Sequence, residues 1–139
     1  MVIETKSREE TLLLGEKIGK ALKNNSIVAL IGDLGAGKTT LIQGIAKGLK
    51  VDNWVTSPTF TIINEFKGRL DLYHVDLYRI ERPEDIEDIA LEEYFSKNGV
   101  TVIEWADKIK ELLPERSIMI NMDHISENER KIDIRGLNI

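Results

Sequence analysis

Apolar positions recur along this chain in two rhythms, one of about 3.6 residues and one of continuous short runs. Leu14, Ile18, Ala21 and Leu22 keep the helical rhythm. They follow Ser7-Arg8-Glu9-Glu10, a capping box whose Ser and Glu side chains would satisfy free N–H groups at a helix start. Asn24-Asn25-Ser26 closes that helix. Ile27-Val28-Ala29-Leu30-Ile31 is apolar without a break and suits a strand covered on both faces. A glycine-rich stretch comes next, and a helix is predicted from about Lys38 to Leu49. Val55-Thr56-Ser57-Pro58-Thr59 reads as a loop. Thr61 to Phe66 and Leu70 to Asp76 read as two strands of a hairpin turning at Lys67-Gly68-Arg69. Pro83 has the place of a first helical residue with acids in the turn after it, and Ile86, Ile89, Ala90 and Tyr94 form that helix's apolar stripe. Val100 to Trp105 is a further strand, Asp107 to Leu113 a short helix stopped by Pro114. Ile118 to Met122 and Lys131 to Ile134 are a closing pair of strands. Strands alternating with helices predict an α/β sandwich. Its central sheet should be mostly parallel, with antiparallel additions in the middle and at the end of the chain.

Composition narrows the class. The 139 residues are 42% hydrophobic and 31% charged, an ordinary balance for one globular domain spanning 1–139 and unlike a disordered chain. No apolar run approaches the roughly 20 residues of a membrane span, and the N-terminus has no secretory pattern. Cysteine is absent, which removes disulfides and thiolate chemistry and fits a cytoplasmic location. The net charge is −5, and Glu81 to Glu93 is strongly acidic. A chain that grips nucleic acid on its own usually carries a basic face. A basic protein partner suits this chain better than RNA or DNA bound directly.

The glycine-rich stretch is Gly32-Asp33-Leu34-Gly35-Ala36-Gly37-Lys38-Thr39, followed by Thr40. It fits G-x-x-x-x-G-K-[ST] at every position, between a buried-strand pattern and a helical one. Glycines let backbone N–H groups converge on anionic oxygens, and the helix beginning near Lys38 points its positive end at them. Lys38 is expected to reach the β- and γ-phosphates of a nucleotide and the Thr39 hydroxyl to ligate Mg²⁺. No Asn-Lys-x-Asp stretch exists for guanine, so ATP is expected rather than GTP.

A phosphate loop needs an acid across from it. Leu72-Tyr73-His74-Val75-Asp76 and Val100-Thr101-Val102-Ile103-Glu104 each end a strand pattern on one. Ligands of open parallel sheets lie beyond the carboxyl ends of strands, so Asp76 and Glu104 are both candidates to hold the metal or orient water. Taken alone, either would be an ordinary cap or turn residue. His74 reads as a packed, hydrogen-bonded strand residue and His124 as a turn residue. Trp54 and Trp105 read as core, although Trp105 is placed to cover the site. The acids between Glu84 and Glu93 read as a solvated helix face.

Together these stretches resemble one family. Gly32 to Thr40, Thr56-Ser57-Pro58-Thr59-Phe60, Tyr73-His74-Val75-Asp76-Leu77-Tyr78-Arg79 and Ile103-Glu104-Trp105 are similar, in order and spacing, to the TsaE family. These bacterial ATPases are needed for threonylcarbamoyl modification of adenosine 37 in tRNA (t6A). The resemblance implies a P-loop NTPase-like fold, with ATP and Mg²⁺ as cofactors. It implies Lys38 at the phosphates, and Thr39, Asp76 and Glu104 at the metal. Thr59 would lie in a switch-like loop that senses the γ-phosphate. Adenine would lie near Ser7 to Thr11, with Arg130 approaching the nucleotide. The implied partners are the TsaB and TsaD proteins, tRNA being reached only through them. ATP hydrolysis would reset that complex between turnovers, and the chain would not itself be the transferase.

Two other readings remain at this point. A small-molecule P-loop kinase would cast Arg79 and Arg82 as lid residues, but no long lid segment is apparent. A nucleotide-dependent binding module would keep Lys38 and Thr39 and have no need of turnover.

Overall fold

The computed structural model describes residues 1–33, 37–52, 63–82, 84–85 and 91–139. The strands are β1 (Val2–Thr5), β2 (Ser26–Ile31), β3 (Ile63–Phe66), β4 (Leu72–Asp76), β5 (Val100–Glu104), β6 (Ile118–His124) and β7 (Arg130–Arg135). The helices are α1 (Arg8–Ala21), α2 (Lys38–Gly48), α3 (Leu91–Ser96) and a 3₁₀ helix over Ala106–Leu112. All seven strands join one sheet in the order β1-β7-β6-β2-β5-β4-β3. The four central strands, β6-β2-β5-β4, run parallel. Antiparallel pairs finish both edges, β6–β7 and β7–β1 on one side and β3–β4 on the other. The sheet is thus parallel at its centre, while its antiparallel pairings equal the parallel ones in number.

The unbroken apolar run of β2 is explained by two covered faces. Val28 and Leu30 enter a core with Leu14, Ile18, Leu41 and Ile45 of α1 and α2. Ile27 and Ala29 enter a second core with Leu91, Phe95 and Ile109 on the other side. Side chains of a strand alternate between faces, so such a strand must be apolar at every position. The same alternation sorts β4 and β5. Leu72, Val100 and Val102 face the α1–α2 core, whereas Val75 and Ile103 face the second. His74, Asp76 and Glu104 therefore share the face that α1 and α2 cover.

α1 and α2 meet through glycines rather than large side chains. A Cβ on Gly15 would lie 2.9 Å from the Gly44 Cα, and one on Gly19 would lie 2.9 Å from the Gly48 Cα. The two backbones touch, which brings the start of α1 beside the start of α2. The α1 cap departs slightly from the predicted box. Ser7 Oγ accepts from the Glu10 N–H at 3.1 Å, but the Glu10 carboxylate accepts from the Lys6 N–H, one residue before the cap.

Other boundaries also moved. β1 was not expected, and its partner β7 is at the far end of the chain. The helix predicted over Asp107 to Leu113 is a 3₁₀ segment starting at Ala106, with a non-helical break at Ile109. The predicted hairpin of β3 and β4 and the closing pair β6 and β7 are present and antiparallel. The expectations for Trp54, residues 56–60, Pro83, Ile86, Ile89 and Ala90 lie outside the described residues. Among the described residues no helix is long and apolar enough to cross a membrane.

Candidate active site

The site is built where the parallel strands end. β2 runs into Gly32 and the exposed Asp33, and α2 begins at Lys38 after Gly37. Gly37 has φ 92°, a left-handed conformation that side chains resist, and caps α2 with no side-chain bond. Leu34, Gly35 and Ala36 of the motif lie outside the described residues. Lys38 is only 5% exposed. Its Nζ donates to the Gly32 carbonyl at 2.5 Å and sits 3.4 Å from the centroid of the Trp105 ring. Burial lowers the Lys38 pKa, while Glu104, Asp107, Asp76 and Asp33 oppose that shift. Carboxylates around a buried ammonium help keep it charged. Thr39 is exposed and Thr40 half-buried at the start of α2.

Parallel registration places the two acids side by side. Asp76 pairs with Glu104 between β4 and β5, and Glu104 pairs with Leu30 between β5 and β2. Glu104 is buried, and its Oε2 is 2.7 Å from His74 Nε2, itself buried. Asp76 is half-buried, with Oδ1 accepting from the Tyr78 N–H at 3.0 Å. Burial pushes the Asp76 carboxyl up, and the neighbouring Glu104 adds to this. The Tyr78 bond, His74 and Lys38 pull it back. The Asp76 and Glu104 carboxylates, on adjacent strand ends, are oxygen donors of the kind a hard cation such as Mg²⁺ takes. Among the described residues no three His, Asp or Glu side chains converge to hold a metal by themselves.

On the far side of Gly37 lies a cleft of about 280 Å³, lined by Ser7, Thr11, Gly37, Thr40 and Arg130 among others. Residues far apart in sequence thus meet at the joined starts of α1 and α2. Thr11 is buried, with its Oγ1 2.7 Å from Thr5 Oγ1. Arg130 Nη1 donates to the carbonyls of Ser126, Glu127 and Glu129, and its Nε, buried, has no partner among the described residues. A Cβ on Gly37 would come within 3.3 Å of that Nε.

A family model, "Threonylcarbamoyl adenosine biosynthesis protein TsaE", matches residues 5–132. The chain belongs to the TsaE family. It is 38% identical over 130 residues to the tRNA threonylcarbamoyladenosine biosynthesis protein TsaE of Treponema pallidum, covering 94% of this chain and 96% of that one. It is 43% identical over 129 residues to the protein of the same name in Bacillus subtilis, covering 92% and 80% of the two chains. The fold is similar to the crystal structure of Bacillus subtilis YdiB, with a TM-score of 0.78 and 38% identity over 95% of this chain and 82% of that one.

Within this TsaE-family fold, Lys38, Asp76 and Glu104 come together, and Ser7, Thr11 and Arg130 gather in the cleft beside Gly37. Thr59 lies outside the described residues. One site contact is not legible in the sequence: His74 is expected to be packed and bonded, and its partner proves to be Glu104 itself. Trp105, expected as core but placed to cover the site, stands over Lys38 with its backbone left-handed at φ 60°. Non-glycine residues held in that region tend to mark functional sites. The Glu104-Trp105 dipeptide at a strand end was the available signal. His124, by contrast, is exposed at the end of β6.

Proposed function

We propose that this chain is a Mg²⁺-dependent ATPase with a P-loop NTPase-like fold that docks on the TsaB–TsaD pair. There it supports threonylcarbamoyl transfer to adenosine 37 of tRNA by resetting the complex between turnovers. The observation that carries this reading is Lys38 at the start of α2, ringed by acids, with Asp76 and Glu104 registered side by side at neighbouring strand ends. Backbone N–H groups near the start of α2 and the Lys38 ammonium would bind the β- and γ-phosphates. Thr39, Asp76 and Glu104 would hold Mg²⁺, which when bound neutralises phosphate charge. Glu104 would hold the metal or orient the attacking water. The cleft beside Gly37 is the place for the adenine end, bounded by Ser7, Thr11 and Arg130. The acidic net charge supports docking on protein with tRNA reached indirectly, and the cysteine-free composition fits a cytoplasmic location.

The kinase alternative has less support. No long lid segment is apparent in the sequence, and Arg79 and Arg82, the two arginines a lid would use, are exposed.

The test is ATP hydrolysis by the purified chain, alone and with TsaB–TsaD, beside Lys38→Ala and Glu104→Gln. Stimulation by the pair, lost in both variants, is the expected result. Lys38→Ala should weaken ATP binding, whereas Glu104→Gln should spare binding and impair turnover. A rate indifferent to the pair would reject the partner-coupled reading.

A further inference from the structure

We infer that His74 is a positioning residue for Glu104, an assignment that rests on the catalytic reading of Glu104 above. β4 and β5 are parallel neighbours in which His74 is registered with Val102 and Asp76 with Glu104. The imidazole therefore reaches one pair along, diagonally, to the Glu104 carboxylate, and the bond of 2.7 Å closes between two buried side chains. A carboxylate only accepts, so the shared hydrogen is on Nε2.

His74 shares its face with Leu72 and Val102, which enter the α1–α2 core. Packing alone would be met by an aliphatic residue at such a place, since a polar ring taken out of water needs a partner. The partner of Nε2 here is the carboxylate of Glu104, at the end of the neighbouring strand. The consequence is geometric. Glu104 has three side-chain torsions, and tying Oε2 back to β4 holds the carboxylate in one orientation. Oε1 makes no hydrogen bond among the described residues and is left to the site. Partners of this kind, one step behind an acid that works on a metal or water, typically change activity by about 10–100-fold when removed.

Two polar variants separate positioning from packing. His74→Gln can place an amide donor near the position of Nε2. His74→Asn is shorter and places it near Nδ1 instead. ATP hydrolysis with TsaB–TsaD should show kcat reduced roughly 10-fold or more in His74→Asn and largely restored in His74→Gln, with KM for ATP changed by less than about 3-fold in both. In a Glu104→Gln background His74→Asn should cost nothing further, because the group it positions is gone. In the free chain, the His74 Nε2 proton should be a resolved, slowly exchanging NMR signal that disappears in Glu104→Ala. Equal kcat in the Asn and Gln variants, both folded by thermal melting, would overturn the inference. So would a His74→Asn loss that persists in full on Glu104→Gln. If Glu104→Gln alone turned over at the wild-type rate, the assignment of Glu104 would fall, and the role of His74 with it.

Discussion

The ammonium of Lys38 rests on the indole face of Trp105, 3.4 Å from the ring centroid, while donating to the Gly32 carbonyl. The geometry depends on a left-handed backbone at Trp105, which turns the chain from β5 into the 3₁₀ helix. Tyr78 stacks at a tilt on the same indole, with centroids 5.3 Å apart. A cation this buried gains more from a ring than a solvated one, because water no longer competes.

The pair should be energetically coupled. In equilibrium unfolding without nucleotide, a double-mutant cycle of Lys38→Met and Trp105→Leu should give a coupling of about 1–2 kcal/mol. A coupling near zero would mean the contact has no energetic content.

The α1–α2 contact gives a prediction against helix propensity. Alanine is a better helix former than glycine by about 1 kcal/mol, so Gly44→Ala would stabilise an exposed helix. Here the new Cβ would lie 2.8 Å from the Gly15 Cα and would press on the Leu12 carbonyl of α1. Neither is a flexible side chain, so the helices must part. We expect Gly44→Ala to lose about 2 kcal/mol net, lowering Tm by roughly 5 °C, with ATP affinity reduced as the two helix starts separate. An unchanged or raised Tm would show that the helices yield freely.

The glycine pairs also show what was legible in the sequence. Gly15 and Gly19, then Gly44 and Gly48, repeat one spacing on two helical patterns, yet only the structure reveals that the two rows face each other. The motif from Gly32 to Thr39 stands out in the sequence because its residues are consecutive. β2 was readable because burial on both faces leaves an unbroken apolar run. β1 was not, since Val2–Thr5 is a short edge strand whose partner β7 lies at the other end of the chain. The bond from His74 to Glu104 links residues on separate strands and depends on parallel register, which no local pattern encodes. Ala106–Leu112 has helical composition, but it forms a 3₁₀ segment that starts after the left-handed Trp105 and breaks at Ile109.

Asp76 gives the pH dependence. Burial raises its pKa above the ordinary 3.8, so the folded chain holds this proton more tightly than the unfolded chain. As pH rises from below 3.8 through the raised value, the unfolded chain gives up the proton first, and stability falls; above the raised value the penalty is constant. Asp76→Asn removes an ionisation that the fold resists. Its Tm at neutral pH, without nucleotide or Mg²⁺, should exceed that of the wild type, and the difference should vanish below about pH 4. ATP turnover should fall in the same variant. An Asp76→Asn protein less stable at pH 7 would place the carboxylate in favourable interactions that outweigh its burial.

Arg130 allows the two ends of the proposed nucleotide site to be tested apart. Its Nη1 gathers three carbonyls of the turn between β6 and β7, and the same side chain lines the cleft beside Gly37. If the cleft takes the adenine end and the loop before α2 takes the phosphates, losing Arg130 should matter only to ligands that carry a nucleoside. Hydrogen bonds to charged groups contribute about 1.5–3 kcal/mol, so Arg130→Ala should weaken ATP binding by roughly 10-fold or more. Inorganic tripolyphosphate, which has no nucleoside, should bind the variant and the wild type alike, whereas Lys38→Ala should weaken both ligands. Calorimetry with the two ligands on the two variants checks all four values. Equal losses of ATP and tripolyphosphate in Arg130→Ala would move the arginine to the phosphates and leave the cleft without a nucleoside role.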